Sequence, residues 1–246
     1  MPLATIDTSE IEITAVRLNA RIHERFPGSG LERRSRELIE LCQQMGSRAE
    51  ELSRPILWVR WLYAILVLVV VVVMSTISVN LSLSGLETID DWVPFVEAAV
   101  NDLIFLGAGL FFLSTLETRI KRRRVLAELH EIRSFAHVID MMQLTKDPQR
   151  LAGQDHRPTS ASPTADLTAF ELGRYLDYCT EMLAISSKGA AVVAQRFDDP
   201  AVLATVNEIE NLTTGLSRKI WQKLMILMTT NPEAAPTALT PTSNRD

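Results

Sequence analysis

Residues 56–79, ILWVRWLYAILVLVVVVVMSTISV, form an apolar run carrying a single charge, Arg60, within a turn of its start. A helix rises about 1.5 Å per residue, so about 20 residues cross a hydrocarbon layer about 30 Å thick. The run is therefore the first expected span, residues 56–80. A second apolar stretch, residues 94–116, follows a polar loop at 81–93 and is the second. No segment has strand periodicity. The expected fold is all-α, a two-helix transmembrane hairpin with a cytoplasmic helical bundle of long, coiled-coil-like helices.

Charge placement sets the direction of the hairpin. Arg33, Arg34, Arg36, Arg48 and Arg54 precede the first span, and Arg119, Lys121, Arg122, Arg123 and Arg124 follow the second. The loop between holds Glu87, Asp90 and Asp91 and no Lys or Arg. Basic residues stay on the cytoplasmic side, so both termini are expected in the cytoplasm of a multi-pass inner-membrane protein. Trp58, Trp61 and Tyr63 fit the inner interface and Trp92 the outer one. The basic cluster at 119–124 reads as a topology determinant that touches lipid headgroups, with a dedicated anionic-lipid or partner site as the alternative.

The 246-residue chain carries a net charge of −5, which argues against nucleic acid as a partner. Its mean hydropathy is only +0.10, so the apolar excess is concentrated in the two spans and the remainder has the composition of a soluble protein. The first 30 residues hold Asp7, Glu10, Glu12, Arg17, Arg21 and Glu24 and no apolar core. The first span is thus expected to double as an uncleaved targeting signal. Cys42 and Cys179, far apart in segments assigned to the cytoplasm, read as free buried thiols.

The second span is less uniform. Pro94 suits a first helical turn capped by Asp90 or Asp91. Glu97, Asn101 and Asp102 then fall in its outer half, on a helix where Gly107, Ala108 and Gly109 permit close backbone approach. Ionisable groups at that depth face protein or water, which would make a vestibule or an intersubunit contact. The plainer reading places them at the outer interface with their carboxylates reaching water.

On the cytoplasmic side, the N-terminal segment 1–30 contains a short amphipathic helix with Ile11, Ala15, Leu18, Ile22 and Phe26 at helical spacing, stopped by Pro27-Gly28-Ser29-Gly30. A helix over 31–55 presents Leu38, Leu41, Met45, Arg48 or Ala49, and Leu52, and Pro55 marks a kink or start before the span. The second span continues as one helix over 117–144, with Leu126, Leu129, Arg133, Ala136 and Ile139 on one side. Residues 145–166, rich in Pro, Ser, Thr and Gly, read as a flexible linker.

A helical hairpin over 167–230 follows. Its first stripe runs Leu172, Tyr175 or Leu176, Cys179, Met182 or Leu183, Ser186, Ala190, Val193 and Phe197. Asp199-Pro200 restarts the chain, and the second stripe runs Leu203, Val206, Ile209, Leu212, Leu216, Ile220 and Leu224. Residues 231–246 read as a disordered tail. These helices predict a three-helix bundle, to which the N-terminal helices either add or offer pairing with a second copy. Stripes this long favour a homo-oligomer.

Chemistry-bearing residues are few. His130, His137 and Asp140 share a helix, the histidines seven apart on one face, and form a weak candidate metal set. The His-Glu-x-x-His spacing of metalloprotease helices is absent, and His137 among apolar neighbours reads as a packing residue. Arg133 is expected to pair with Glu131 or Asp140, and Gln143, Thr145 and Asp147 to fix the helix end. Arg218, Lys219, Trp221 and Lys223 precede Leu224–Met228 and read as bundle packing, with a membrane-surface role as the alternative. No phosphate loop, nucleophile elbow or paired-cysteine motif is present. No cofactor is expected.

The stretch Arg133–Pro148, together with Ser217-Arg218-Lys219-Ile220-Trp221-Gln222-Lys223, resembles a family of uncharacterised bacterial two-span membrane proteins, from the second span to about residue 225. The layout is also similar to SLATT-type two-span effector domains, thought to form pores. Neither resemblance implies a site. The expected function is a non-enzymatic, self-associating membrane anchor whose bundle docks a protein partner. An oligomeric channel with an acidic outer vestibule and a metal-binding or enzymatic bundle are the alternatives.

Overall fold

The computed structural model describes residues 6–53, 56–84, 89–151 and 167–230. Six helices follow one another: α1 (Thr8–Arg25), α2 (Gly30–Ser53), α3 (Leu57–Ser84), α4 (Ile89–Leu144), α5 (Ala169–Arg196) and α6 (Pro200–Thr230). A 3₁₀ turn at Pro148–Leu151 precedes α5. No strand occurs among the described residues, and the fold is all-α. The chain divides into two compact units, residues 51–124 and residues 1–50 with 125–246.

The second of these units is a five-helix bundle built from α1, α2, the part of α4 after Arg124, α5 and α6. Its buried seams step by alternating fours and threes almost throughout. They run Ile11, Ala15, Leu18, Ile22 in α1; Leu31, Ser35, Leu38, Cys42, Met45 in α2; and Val125, Leu129, Ile132, Ala136, Ile139, Gln143 in α4. In α6 the seam is Val202, Val206, Ile209, Thr213, Leu216, Ile220, Leu224, Leu227. A repeat of 3.5 residues keeps each seam on its partners by left-handed supercoiling, as in coiled coils. The hydroxyls on these seams are satisfied within their own helices: Ser35 Oγ donates to Glu32 O, Ser186 Oγ to Met182 O and Thr213 Oγ1 to Ile209 O.

Helix α5 is the hub. Besides Leu172, Leu176, Cys179, Leu183, Ser186, Ala190 and Val193, it buries a second stripe of Tyr175, Tyr178, Met182, Ile185 and Val192. Helix α1 lies antiparallel to it, with Arg21 paired to Glu181 and the Phe26 ring edge-on to Tyr175 and Tyr178 at 6.0 and 6.3 Å. Helix α2 returns antiparallel to α1 through Ser35–Asn19 and Gln43–Glu12 hydrogen bonds. Its Met45 covers Gly189, where an added Cβ would lie 2.6 Å from the methionine Cε. On the other side α6 folds back along α5, and α4 runs parallel to α6, tied by Arg133–Glu208 at 3.3 Å and by Lys223 Nζ donating to Gln143 O at 2.6 Å.

Local chemistry fixes the turns. Asp7 caps α1, and Gly28 turns the chain with φ +71°, a left-handed conformation that only glycine adopts without strain. Glu32 then locks the α1–α2 corner: it accepts from Arg36, from Gly28 N at 2.6 Å and lies 2.9 Å from His23 Nδ1. The Arg36 hydrogen bond first, then those of His23 and Gly28, hold its carboxyl at about 2. A Thr168–Glu171 capping box opens α5, and Asp199 caps α6 ahead of Pro200.

Several expectations change. Of the two readings open for the N-terminal helices, the one in which they add to the bundle of their own chain holds, making five helices, and the long stripes of α5 are covered without a second copy. Within segment 1–30 the expected amphipathic helix is α1, 18 residues long, with Ile11, Ala15, Leu18 and Ile22 buried. The α2 seam uses Cys42 rather than Leu41, and the α6 seam uses Val202 and Thr213 in place of Leu203 and Leu212. These shifts follow the 3.5 repeat, which a straight 3.6-residue count drifts away from. The 3₁₀ turn occupies part of the expected linker. The remainder of that linker at 152–166, the tail at 231–246 and Pro55 lie outside the described residues.

The other unit comprises α3 and α4 up to Arg124. Helix α3 extends to Ser84, and α4 opens at Ile89 rather than in the turn around Pro94, so the helices reach into the expected 81–93 loop. They run antiparallel, Gly109 facing Leu66 Cδ2 at 3.7 Å from an ideal Cβ position. Both are long and apolar enough to cross a membrane. Only 6 % of the apolar window Leu57–Thr76, mean hydropathy 2.5, is buried, and none of the window beginning at Leu103. Trp58, Trp61, Leu68, Leu103, Ile104, Phe105 and Phe111 are all exposed.

Candidate functional site

The residues singled out for chemistry do not converge. His130 and His137 share a face of α4, but that face is open to solvent, which corrects the packing role expected for His137. Asp140 accepts instead from Gln143 Nε2 at 2.8 Å. Among the described residues no three His, Cys, Asp or Glu side chains group closely enough to hold a metal ion. Arg133 pairs across the bundle with Glu208, not with Glu131 or Asp140. The backbone carbonyl of Gln143, in the last turn of α4, accepts from Lys223, whereas Asp147 caps the following 3₁₀ turn by accepting from Gln149 N at 3.0 Å.

In α6 the basic segment divides by face. Leu224 and Leu227 are buried, whereas Arg218, Lys219 and Trp221, the last 59 % exposed, point outward. Glu97 and Asn101 are exposed on α4; Asp102 lies on the same helix, its side chain outside the described residues. Cys42 and Cys179 are free and buried as expected, and burial pushes both thiols up to about 12.

A site that the sequence reading missed lies where α3 and α4 meet at the end carrying the basic cluster. Glu117 is its centre. The carboxylate accepts from Ile56 N at 3.2 Å, pairs with Lys121 Nζ at 3.0 Å one turn further along α4, and faces Arg60 Nε at 3.7 Å. One acidic side chain thus joins the start of α3 to α4. The Lys121 side chain is 16 % exposed and that of Arg60 is 65 % exposed. Val59, Arg60, Tyr63, Leu113, Ser114 and Glu117 line an open cleft of about 420 Å³ beside this cluster. The signal was present as the one charge in the first apolar run and the one carboxylate in Glu117–Arg124, four residues before Lys121. Of the cluster, Lys121 is committed to Glu117, Arg119 lies over the Phe112 ring at 5.9 Å, and Arg123 and Arg124 are exposed.

A second cleft, of about 500 Å³, opens on the bundle between α1 and α5, lined by Arg21, Glu24, Arg25, Arg174 and Tyr178. Its charges are largely answered internally. Arg21 binds Glu181, Arg174 binds Asp177 at 3.0 Å, and both guanidiniums flank the Tyr178 ring. This is a latch between two helices: the cations hold aromatic faces and carboxylates of the same bundle.

Comparison with protein-family models, with curated proteins and with solved structures returns no match.

Proposed function

We propose that the chain is an integral protein of the bacterial inner membrane in which α3 and the first part of α4 cross the bilayer as a hairpin and anchor the five-helix bundle on the cytoplasmic side. The bundle serves as a non-enzymatic scaffold that docks a protein partner and brings copies of the chain together. The observation that carries the reading is the exposure of the two apolar windows. Soluble monomers rarely expose apolar patches beyond a few hundred Å².

Magnitudes favour insertion. Leu57–Thr76 contains twelve Leu, Ile and Val residues. At about −0.3 to −0.6 kcal/mol each these contribute roughly −4 to −7 kcal/mol, and Arg60 lies near the helix end, where the cost of its charge is small. The Arg and Lys residues on both flanks and the acidic connection between the helices support cytoplasmic termini. Self-association is supported by Gly107, whose backbone face is open while that of Gly109 is filled by Leu66.

The test uses a Cys42→Ala/Cys179→Ala chain with a single cysteine introduced at Ser84. Alkaline carbonate should leave the protein in the membrane pellet, and an impermeant maleimide should label the new thiol in intact cells. Release by carbonate, or labelling only after lysis, overturns the proposed placement. A monodisperse oligomer in detergent supports the scaffold, and a strict monomer removes it.

A further inference from the structure

The cleft at the base of α3 and α4 holds an arginine that makes no hydrogen bond among the described residues. Arg60 approaches Glu117 only at 3.7 Å through Nε, beyond hydrogen-bond length. Its guanidinium makes no shorter polar contact among the described residues. Glu117 is meanwhile engaged by Ile56 N and Lys121. Two cations therefore face one carboxylate, leaving a net charge of one positive beside a planar fork of donors. We infer that this cleft seats the phosphate of an anionic phospholipid, with the Arg60 fork as its ligand while Lys121 stays on Glu117. The inference rests on the membrane placement of α3 and α4 proposed above.

Three features select a lipid over a free anion. The walls are mixed: Val59 and Leu113 offer apolar surface, while Arg60, Glu117 and Ser114 offer polar groups, which matches an amphiphile. Trp58 and Trp61, flanking Arg60, are exposed in the manner of an interfacial belt, so the guanidinium is at headgroup depth. Exposed Leu62 and Phe112 continue the surface along which acyl chains would lie. A free phosphate would gain nothing from these walls.

Charge and hydrogen bonding narrow the headgroup. A zwitterionic choline headgroup brings its own cation toward Arg60, where like charges repel. A headgroup with hydroxyls and a single negative charge matches the net charge of the cleft. Ser114 Oγ already donates to Phe111 O at 2.8 Å, so it offers only lone pairs, which suit a hydroxyl donor. Guanidinium and phosphate pair bidentately, a geometry that an ammonium cannot reproduce.

Native mass spectrometry of the full chain in a nonionic detergent tests this, with phosphatidylglycerol, phosphatidylcholine of the same acyl chains, or inorganic phosphate added. One phosphatidylglycerol should bind per chain about tenfold more tightly than phosphatidylcholine, and phosphate should not compete. Arg60→Gln should weaken that binding by about tenfold and Arg60→Lys by less, because charge survives and the fork does not. Glu117→Gln should tighten binding by removing the compensating charge. Arg17→Gln, the same change of net charge on an exposed site of α1, should leave it unaltered. Equal weakening by Arg17→Gln and Arg60→Gln, or equal occupancy by both lipids, overturns the inference, and displacement by phosphate reassigns the cleft to a free anion. Carbonate resistance of Arg60→Gln separates failure here from failure of the membrane reading: a variant that stays in the membrane and still binds phosphatidylglycerol normally defeats the lipid seat alone.

Discussion

Replacing Gly189 by Ala tests whether α2 is seated on α5 of its own chain. Two effects oppose each other. A helical glycine costs about 1 kcal/mol relative to alanine, so the substitution gains that much from the backbone. The new Cβ would lie 2.6 Å from Met45 Cε and 3.0 Å from its Sδ. Overpacking of this kind costs about 1–3 kcal/mol, and a methionine tip yields more readily than a branched chain, which favours the lower half of that range. The net effect is a loss of up to about 1 kcal/mol. Met45→Ala alone removes a buried side chain and should cost about 2–5 kcal/mol. With Met45 already truncated the clash is gone, and Gly189→Ala should stabilise by about 1 kcal/mol. The coupling between the two sites is then about 1–2 kcal/mol, above the 0.3–0.5 kcal/mol scatter of independent sites. Denaturant unfolding of the full chain and its three variants in detergent, followed by helical circular dichroism, measures it. If the two substitutions add within that scatter, Met45 is not against Gly189, and the five-helix arrangement fails with it.

Three further outcomes follow from ionisable groups, two from buried ones and one from an exposed pair. Burial holds the Cys42 and Cys179 thiols at about 12 against 9 for a free thiol, so their contribution is complete below pH 9 and lost as pH rises toward 12. Each adds a slope of up to about 1.4 kcal/mol per pH unit, and Cys42→Ala should flatten the fall in melting temperature between pH 9 and 11 although half-buried Lys223, lowered mainly by desolvation, works in the opposite direction. Glu32, held at about 2, gives stability that is complete above pH 4.5 and lost as pH falls toward 2; Glu32→Gln should abolish that acid dependence and speed hydrogen exchange at the Gly28 amide. His130→Ala with His137→Ala, both exposed, should change unfolding free energy by less than about 0.5 kcal/mol and leave the metal content of the purified protein as it was.

The helices were legible because their seams repeat. Ile11, Ala15, Leu18, Ile22 and Phe26 are all buried as the spacing required, and the continuation of α4 from the second span to Leu144 follows from an apolar periodicity that Pro and Gly do not interrupt. Capping of α6 by Asp199 ahead of Pro200 was equally readable. What escaped was partnership. An amphipathic stripe declares that it is covered, not by what, so α1 and α2 could have served the same chain or another. Near-ties also misled: Leu203 and Val202 are adjacent and both apolar, and only the supercoiled register puts Val202 inside. The Glu117 cleft was hidden for a different reason, because its parts are 61 residues apart in the hydrogen bond that defines it.

Apolar side chains have opposite fates in the two units, and the contrast bears on solvent. Helix α5 has modest apolarity, yet Leu172 through Val193 are buried around most of its circumference. Helix α3 is far more apolar, with a window of mean hydropathy 2.5, and is almost entirely exposed. In water that ordering is backwards, since burial there is driven by the apolar area removed, about 25 cal/mol per Å². In hydrocarbon no such drive exists between helices, and what joins them is close backbone approach and polar pairing. Those are the contacts found between α3 and α4: Gly109 against Leu66, and Glu117 against Ile56 N, Lys121 and Arg60. Glu117 is the carboxylate that holds this joint among the described residues, and exchanging it for leucine, which removes all three of these contacts, should loosen the hairpin, read as faster hydrogen exchange at the Ile56 amide.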